Sequence, residues 1–547
     1  MPEDSPSEVL AADGRLCRMM RTLLSAAITT ACLTVAMPAA RAADCASLQS
    51  LKLPETTITM ALRVTTGSVV RPPDTSLTGL PVFCRVTGVI RPTTDSVINF
   101  EVWMPETKWN ERFLGVGNGG FAGTIGYGSL AANLRRGFAT AGTDAGHEGE
   151  SEDATWAYQH PEKIKDFGWR GLHLTTDRAK KIVAAFYGRA AKQSYFDSCS
   201  DGGREALMEA QRFPEDYDGI LAGAPANNWT GLLSSGVDLT QVTSGDPAGY
   251  ISSMRLPAIT RAVLAACDAQ DGVKDGFIND PAECHFDPKV LLCKKGDSPD
   301  CLTAPQVRSL AKFYQGGTNS HGVSIMSGYA MGDEWPGWRD WVVGHSPGSS
   351  SGLGYVQNFF RYMVYDDPKW NVLTANVDDA WQQANDKMAA DLNSTNADLS
   401  GFAARGGKLI LYHGWDDPAI SPWSTIGYYE NVRKQMGAEK ADGFVQLYMV
   451  PGMEHCVGGP GPASFGQLGL PEATGPGSGI LPVLEEWVEK GTPAKEIVAA
   501  KFQGTGEAAT VKMTRPLCPY PLVAVYKGTG STDDAANFAC RERSLAK

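Results

Sequence analysis

The feature of this chain that most narrows its fold is a recurring alternation of short apolar runs with stretches of helical periodicity. RFLGVGNGG (112–120) and GFATAGTDAG (137–146) are apolar runs ending in Gly-rich or polar loops, as buried strands of a parallel sheet do. Asp177–Tyr187 is helical in pattern, SYFDSCSDGG (194–203) reads as a strand entering a turn, and Arg204–Arg212 is helical again. YDGILAGAPANNW (217–229) supplies a further strand and loop. The pattern resumes with GGKLILYHGWDD (406–417), a helix over Ile426–Gln435, FVQLYMVPG (444–452) and a helix over Ile480–Lys490. Such alternation predicts an α/β sheet with helices on both faces. Upstream, VFCRVTGVI and VINFEVWMP, within Pro81–Pro105, alternate apolar and polar residues and predict two antiparallel strands. Between about 230 and 402 the alternation lapses into Gly/Ser-rich stretches such as SPGSSSGLG (346–354). A sheet domain over 43–229 and 403–547, interrupted by an inserted lid domain over 230–402, is therefore expected for a chain too long to be one ordinary domain.

Residues 15–42 carry Arg15, Arg18 and Arg21, an apolar run from Leu23 to about Met37, and Ala40-Arg41-Ala42. This predicts a secretory signal peptide over 1–42, cut after Ala42, and a secreted or periplasmic protein. The acidic stretch before Arg15 is unusual in such a leader and leaves Met1, Met19 and Met20 as candidate starts. The apolar run is shorter than a membrane span, so no stable anchor is expected after cleavage. Of 12 cysteines, cleavage removes Cys17 and Cys32 and leaves an even set in an oxidising compartment. Sequence does not fix their connectivity. Short gaps suggest local staples Cys45–Cys84, Cys267–Cys284, Cys293–Cys301 and Cys518–Cys540, which leaves Cys199 and Cys456 as a long-range pair. Zinc is disfavoured, since no C-x-x-C occurs and the His residues do not cluster near these cysteines. The net charge of -12 argues against a nucleic-acid partner. Nothing in the chain specifies an oligomeric state.

The strongest chemical signal is Ser198-Cys199-Ser200-Asp201-Gly202-Gly203, between a strand and a helix. A Ser hydroxyl needs a base within reach and a sharp turn that exposes it. Ser198 stands where the usual G-x-S-x-G has its first Gly, and Gly202 keeps the second. HGWDDP (413–418) places Asp416 and Asp417 after one later strand, and PGMEHC (451–456) places His455 after the next. The order Ser200, Asp417, His455 is that of an α/β-hydrolase triad, in which His takes the Ser proton and Asp holds the imidazole tautomer. A Cys199–Cys456 bridge, with Cα atoms about 5 to 6 Å apart, would hold Ser200 beside His455. Oxyanion donors are expected from the N–H of Asp201 and from GNGGFAG (117–123), through Gly120 or its rival Gly119. Gly115, Gly117 and Gly120 also fit a phosphate-cradling spacing, but no ribose-binding acid accompanies them, so a dinucleotide site is not expected.

Asp268, Asp271 and Asp275 crowd into eight residues with glycines between them. With the carbonyls of Val273 and Phe277 they would suit a structural Ca²⁺, expected to lie far from the chemistry. Cys267 and Cys284 flank this loop.

The set CSDGG, HGWDDP, PGMEHC, CDAQDGVKDG, GNGGFAG and TRPLCPYPLVAVYKG resembles the tannase and feruloyl esterase family, which also contains mono(2-hydroxyethyl) terephthalate hydrolase. The likeness runs from about Cys45 to Cys540. It implies an α/β-hydrolase with nucleophile Ser200, acid Asp417 and base His455, calcium in the inserted lid, and the five cysteine pairings named above. It also implies hydrolysis of esters of aromatic acids through an acyl-enzyme, the acyl group being feruloyl or another hydroxycinnamoyl, galloyl, or terephthalate monoester. A catalytically silent polyphenol- or carbohydrate-binding protein is the rival from another class. The lid would supply the acyl pocket. Within WPGWRDW (335–341) and FFRYMVY (359–365), Trp338 and Phe360 are candidates to stack on a substrate ring, and Arg361 or Arg339 to meet a carboxylate or phenol. Most of these aromatics are expected in the lid's own core.

Overall fold

A computed structural model describes residues 43–71, 75–475, 477–504 and 509–542. The expected signal peptide lies outside the described residues. Nine strands form one sheet: β1 (Thr56–Val64), β2 (Phe83–Ile90), β3 (Ile98–Pro105), β4 (Arg112–Val116), β5 (Ala139–Thr143), β6 (Gln193–Cys199), β7 (Gly219–Gly223), β8 (Lys408–Gly414) and β9 (Val445–Val450). Their spatial order is β1-β2-β3-β5-β4-β6-β7-β8-β9. The first three pair antiparallel, β3 meets β5 antiparallel, and from β5 to β9 every neighbour is parallel.

Burial follows from this topology. In β2 (FCRVTGVI) Val86 and Ile90 are buried while Arg85, Thr87 and Val89 are half-exposed, the alternation of a strand with one face on a core. In β8 (KLILYHG) all residues but Lys408 are buried, because helices cover both faces. Leu409 and Leu411 enter one apolar cluster, with Phe113, Phe196 and Val445. Ile410 and Tyr412 enter the opposite one, with Leu114, Tyr195 and Val450. The covering helices include α1 (Tyr127–Arg135), α2 (Gly171–Tyr187), α3 (Asp201–Arg212), α4 (Pro422–Met436) and α5 (Ile480–Lys490). In α5, Ile480, Leu481, Leu484 and Trp487 make a single buried stripe. Gly491 ends it with φ 71°, a left-handed value that a Cβ would disfavour.

Between β7 and β8 the chain adds no strand to this sheet. It forms mainly helices, with apolar clusters around Trp229, Phe359 and Phe360 and around Leu256, Ile259, Phe313 and Trp338. Cys267–Cys284 and Cys293–Cys301 close loops within this insertion. After α5, two antiparallel hairpins, β10 (Ile497–Gln503) with β11 (Thr510–Leu517) and β12 (Val523–Tyr526) with β13 (Phe538–Arg541), complete the described chain.

Candidate active site

The strand β6 enters α3 through Ser200, whose φ of 69° and ψ of -125° lie where L side chains seldom sit. So sharp a strand-to-helix turn lifts the hydroxyl clear of the sheet. Small neighbours permit it. A Cβ on Gly202 would stand 1.9 Å from Ser198 Oγ, and one on Gly203 2.2 Å from the Gly223 oxygen. Ser198 thus fits where the usual motif has Gly, provided that Gly202 stays bare. The Ser200 N–H donates to Gly223 O, and its own carbonyl accepts from Ala226 N–H, which fastens the turn to the end of β7.

Asp417 follows β8 and His455 follows β9. His455 Nε2 lies 2.8 Å from Ser200 Oγ, and His455 Nδ1 lies 2.7 Å from Asp417 Oδ2. The other Asp417 oxygen accepts from the main-chain N–H groups of Ala419 and Ile420 at 2.8 and 2.9 Å. His413 Nε2 stands 3.1 Å from Oδ2. Burial pushes this carboxyl up, but His455 and His413 outweigh it and hold Asp417 below the usual carboxylate range. An ionised Asp417 fixes the proton of His455 on Nδ1 and leaves Nε2 to accept from the Ser200 hydroxyl. His413 was not singled out from the sequence, although it opens the same HGWDDP segment. Its ring is wholly buried between Thr425 Oγ1 and Ile420 O.

All five suggested cysteine pairs are disulfides in this structure. The Cys199–Cys456 bridge, with its Cα atoms 6.0 Å apart, joins the two residues adjacent to Ser200 and His455.

Asp201 begins α3, so its N–H has no intrahelical acceptor. It borders the cavity together with Gly119 and Gly120. The N–H of Asn118 is taken by buried Glu205 at 2.8 Å, and Asn118 O accepts from Gly202; the glycine loop is thereby pinned against α3. Gly120 has φ 61°, and a Cβ there would meet Ser151 O at 2.4 Å, whereas Gly119 faces open space. The Asp201 side chain is buried away from the reacting groups in a 2.6 Å pair with Arg204, which also donates to Gly168 O and Phe167 O.

Ser200 and His455 open into a cavity of about 470 Å³, within the range of small-molecule sites. The insertion supplies Leu233, Thr240, Trp341, Tyr355 and Val356 to its wall, and among the described residues no Lys or Arg lines it. The Trp341 ring meets His455 edge-on at 5.4 Å and stacks with Tyr355 at 5.9 Å. The expectation that Trp338, Phe360 and Arg361 contact substrate is corrected here, since none of the three lines the cavity. Trp338 is buried among Phe313, Tyr314 and Tyr329, and Phe360 against Phe359 and Trp370. Arg361 Nε donates to Trp370 O at 2.9 Å. These large rings complete the insertion's own apolar clusters, packing with residues such as Leu256, Ile259, Met363 and Val372. Arg339 pairs with Asp340 instead.

In the acidic loop, Asp268 accepts from Asp275 N–H and Gly276 N–H, and Asp271 accepts from Val273 N–H. Asp275 Oδ2 pairs with buried Arg515 at 2.5 Å, while its Oδ1 is buried without a partner. Burial, opposed by Arg515, pushes Asp275 up to about 6. Among the described residues no donor reaches the carbonyls of Val273 or Phe277. The unpartnered Asp275 oxygen and the free carbonyls of Val273 and Phe277 are oxygen donors of the chemical type that a hard cation takes. The end of the loop packs on the segment that leads to His455. Phe277 Cβ lies 3.0 Å from where a Cβ on Gly452 would be, three residues before His455.

A hydroxyl on a strand-to-helix elbow, with a carboxylate and an imidazole at the next two strand ends of a largely parallel sheet, defines an α/β-hydrolase. The chain belongs to the tannase and feruloyl esterase family, whose model, described as "Tannase and feruloyl esterase", matches residues 84–541; its members are carboxylic ester hydrolases. It is similar to an uncharacterized esterase of Xanthomonas campestris pv. campestris, 42% identical over 95% of this chain and 94% of that one. It is also similar to a probable feruloyl esterase B-2 of Aspergillus terreus, 34% identical over 84% and 86%. The crystal structure of feruloyl esterase B from Aspergillus oryzae superposes with a TM-score of 0.84 at 30% identity, covering 91% of this chain and 99% of that one.

Proposed function

We propose that this protein is a secreted serine esterase that hydrolyses esters of uncharged hydroxyaryl acids, feruloyl or other hydroxycinnamoyl esters and galloyl esters, through an acyl-enzyme on Ser200. As Ser200 Oγ attacks the ester carbonyl, His455 Nε2 takes its proton and Asp417 stabilises the imidazolium. The N–H groups of Asp201 and of Gly120, or Gly119, receive the developing oxyanion. Collapse expels the alcohol, which leaves with the proton held by His455. Water then attacks the acyl-enzyme, giving its proton to the same nitrogen, and the acid departs from Ser200.

The observation that carries this reading is the Ser200–His455–Asp417 hydrogen-bond chain opening into an aromatic-walled cavity without a cationic side chain. A terephthalate monoester would bring a carboxylate into that cavity with no counter-charge, and burying an unpaired carboxylate is costly. Feruloyl and galloyl groups bring hydroxyls instead, which Thr240, Thr243 and Ser244 along the wall suit. The intact hydrogen-bond chain also weighs against a silent binding protein. Secretion is supported by the leader-like 1–42 segment and by five disulfides. Among the described residues no helix is long and apolar enough to cross a membrane. The loop at 268–277 is proposed to hold a structural Ca²⁺ through Asp268, Asp271, Asp275 and the carbonyls of Val273 and Phe277.

The test is kcat/KM for methyl ferulate, methyl gallate and mono(2-hydroxyethyl) terephthalate. The two neutral acyl groups should be favoured, and Ser200→Ala should lose about 10³-fold or more in kcat. Unchanged turnover in Ser200→Ala, or no turnover by the wild type, would refute the reading.

A further inference from the structure

The insertion reaches the catalytic loops at a second point besides Trp341. Its helix Ser351–Phe359 carries Tyr355, whose ring stacks with Trp341 at 5.9 Å and lies 5.2 Å from the ring of Phe121. The Tyr355 hydroxyl stands over Gly120, since a Cβ built on that glycine would come within 2.6 Å of Tyr355 Oη. The same hydroxyl lies 3.3 Å from Ser151 Oγ. The chain is therefore bare where a side chain of the insertion comes down on the loop proposed to receive the oxyanion.

The segment 144–151, which follows β5, clasps that loop. Phe121 N–H donates to Ser151 O at 2.7 Å, Gly123 N–H to Asp144 O at 3.2 Å, and Gly149 N–H to Gly123 O at 3.2 Å. His147 Nε2 donates to Phe121 O at 2.7 Å. By contrast, among the described residues no main-chain carbonyl takes the N–H of Gly119 or Gly120. These two donors stay available to a ligand, and their direction is set by how the clasp holds residue 121 next to them. Ser151 is the outermost link of the clasp: its carbonyl holds Phe121 and its hydroxyl meets Tyr355. One residue on, Asn358 Nδ2 donates to Glu152 O at 2.6 Å, so the insertion helix grips two successive residues of the segment.

Oxyanion donors act because they are already aimed when charge develops, and a small misplacement of such groups costs rate. The contact between donor and oxygen strengthens as the carbonyl becomes tetrahedral. A loop set slightly wrong therefore lowers kcat while leaving KM nearly as it was.

We infer that Tyr355 is a positioning residue for ester hydrolysis: through its hydroxyl and Ser151 it sets the oxyanion loop, so that the donors are correctly aimed only when the insertion is docked. The inference rests on the esterase reading given above. It makes the insertion part of the rate-determining geometry as well as a wall for the acyl group.

The experiment is steady-state hydrolysis of methyl ferulate by the wild type, Tyr355→Phe, Ser151→Ala and the double variant. Phe keeps the ring contacts with Trp341 and Phe121 and removes only the hydroxyl. Each single variant should lower kcat about tenfold, short of the roughly 10²-fold or more that loss of an oxyanion donor costs. KM should stay within about twofold. The double variant should lose no more than Tyr355→Phe alone, because both changes break one hydrogen bond. Affinity for an arylboronic acid, which a serine nucleophile binds as a tetrahedral adduct, should fall by the same factor as kcat, while ferulate should inhibit as before. Unchanged kcat in Tyr355→Phe, losses that multiply in the double variant, or a raised KM with kcat kept would each overturn the inference. Should Tyr355→Phe not fold, Ser151→Ala, at an exposed position, carries the same kcat and boronate expectations, and an unchanged kcat there counts against it equally. A wild type that hydrolyses no ester would instead overturn the esterase reading beneath it.

Discussion

Cys199 and Cys456 are 257 residues apart in sequence and 6.0 Å apart at Cα, one directly before Ser200 and the other directly after His455. The turn at Ser200 is held by β7 and α3, whereas the loop bearing His455 departs from the end of β9. The disulfide is the covalent tie between them, and in the mechanism proposed above it would hold the gap between Ser200 Oγ and His455 Nε2.

Replacing both cysteines by Ala should therefore lower kcat at least tenfold in the folded fraction, as counted by active-site titration. The accompanying stability loss should be about 2–5 kcal/mol. The pair Cys293 and Cys301, remote from the triad in the insertion, serves as control, and its removal should leave kcat unchanged. Equal kcat in both double variants would show that hydrogen bonding alone positions His455.

Trp341 and Trp338 lie three residues apart yet should behave differently. Trp341→Ala removes a wall of the cavity and should raise KM for methyl ferulate about tenfold with little change in melting temperature. Trp338→Ala empties a packed aromatic cluster and should cost about 3–5 kcal/mol of stability with KM unaltered. Urea denaturation and steady-state kinetics on both variants check this.

Glu205 offers a pH test. Burial, and then the charge of Asp201, push it up to about 8, above its value in the unfolded chain. Its contribution to stability is fully present below the unfolded pKa and is lost as pH rises through about 8. Glu205→Gln removes this dependence. The stability advantage of the wild type over Glu205→Gln should thus shrink by about 1–3 kcal/mol between pH 5.5 and pH 9. Urea denaturation at the two pH values reads it directly, and a constant difference would contradict it.

Calcium removal should act on stability before it acts on chemistry. EGTA should lower the melting temperature of the wild type, and Asp271→Asn should show a smaller shift. Because Asp275 also anchors Arg515, Asp275→Asn should additionally loosen the packing of Arg515 on Phe538, where the guanidinium lies 3.9 Å from the ring centre. Limited proteolysis of the C-terminal hairpins would report that loosening.

Much of the architecture was legible because it is written locally. The strands β4 to β9 are buried along nearly their whole length, since both their faces are covered, and most of them read as short apolar runs. The helices α2, α3, α4 and α5 carry clear periodicity. The strand β1 was not foreseen. It is an edge strand, TTITMALRV, with few buried positions and no clean alternation. The hairpins from β10 to β13 were likewise missed, their short strands being only partly buried. The cysteine pairs were readable because four of them close short loops, which left the fifth little choice.

By itself the sequence determined the order and spacing of the chemistry: a serine in a turn of small residues, then an aspartate and a histidine after successive strands, with cysteines adjoining the first and last. These are properties of neighbours along the chain, and local patterns reveal them. Only the tertiary structure decided that Trp341 rather than Trp338 faces the cavity and that His413 supports Asp417. The first depends on how the insertion packs over the sheet and the second on how the HGWDDP segment turns back at the end of β8, and a run such as WPGWRDW presents three indoles without stating which one the core will claim.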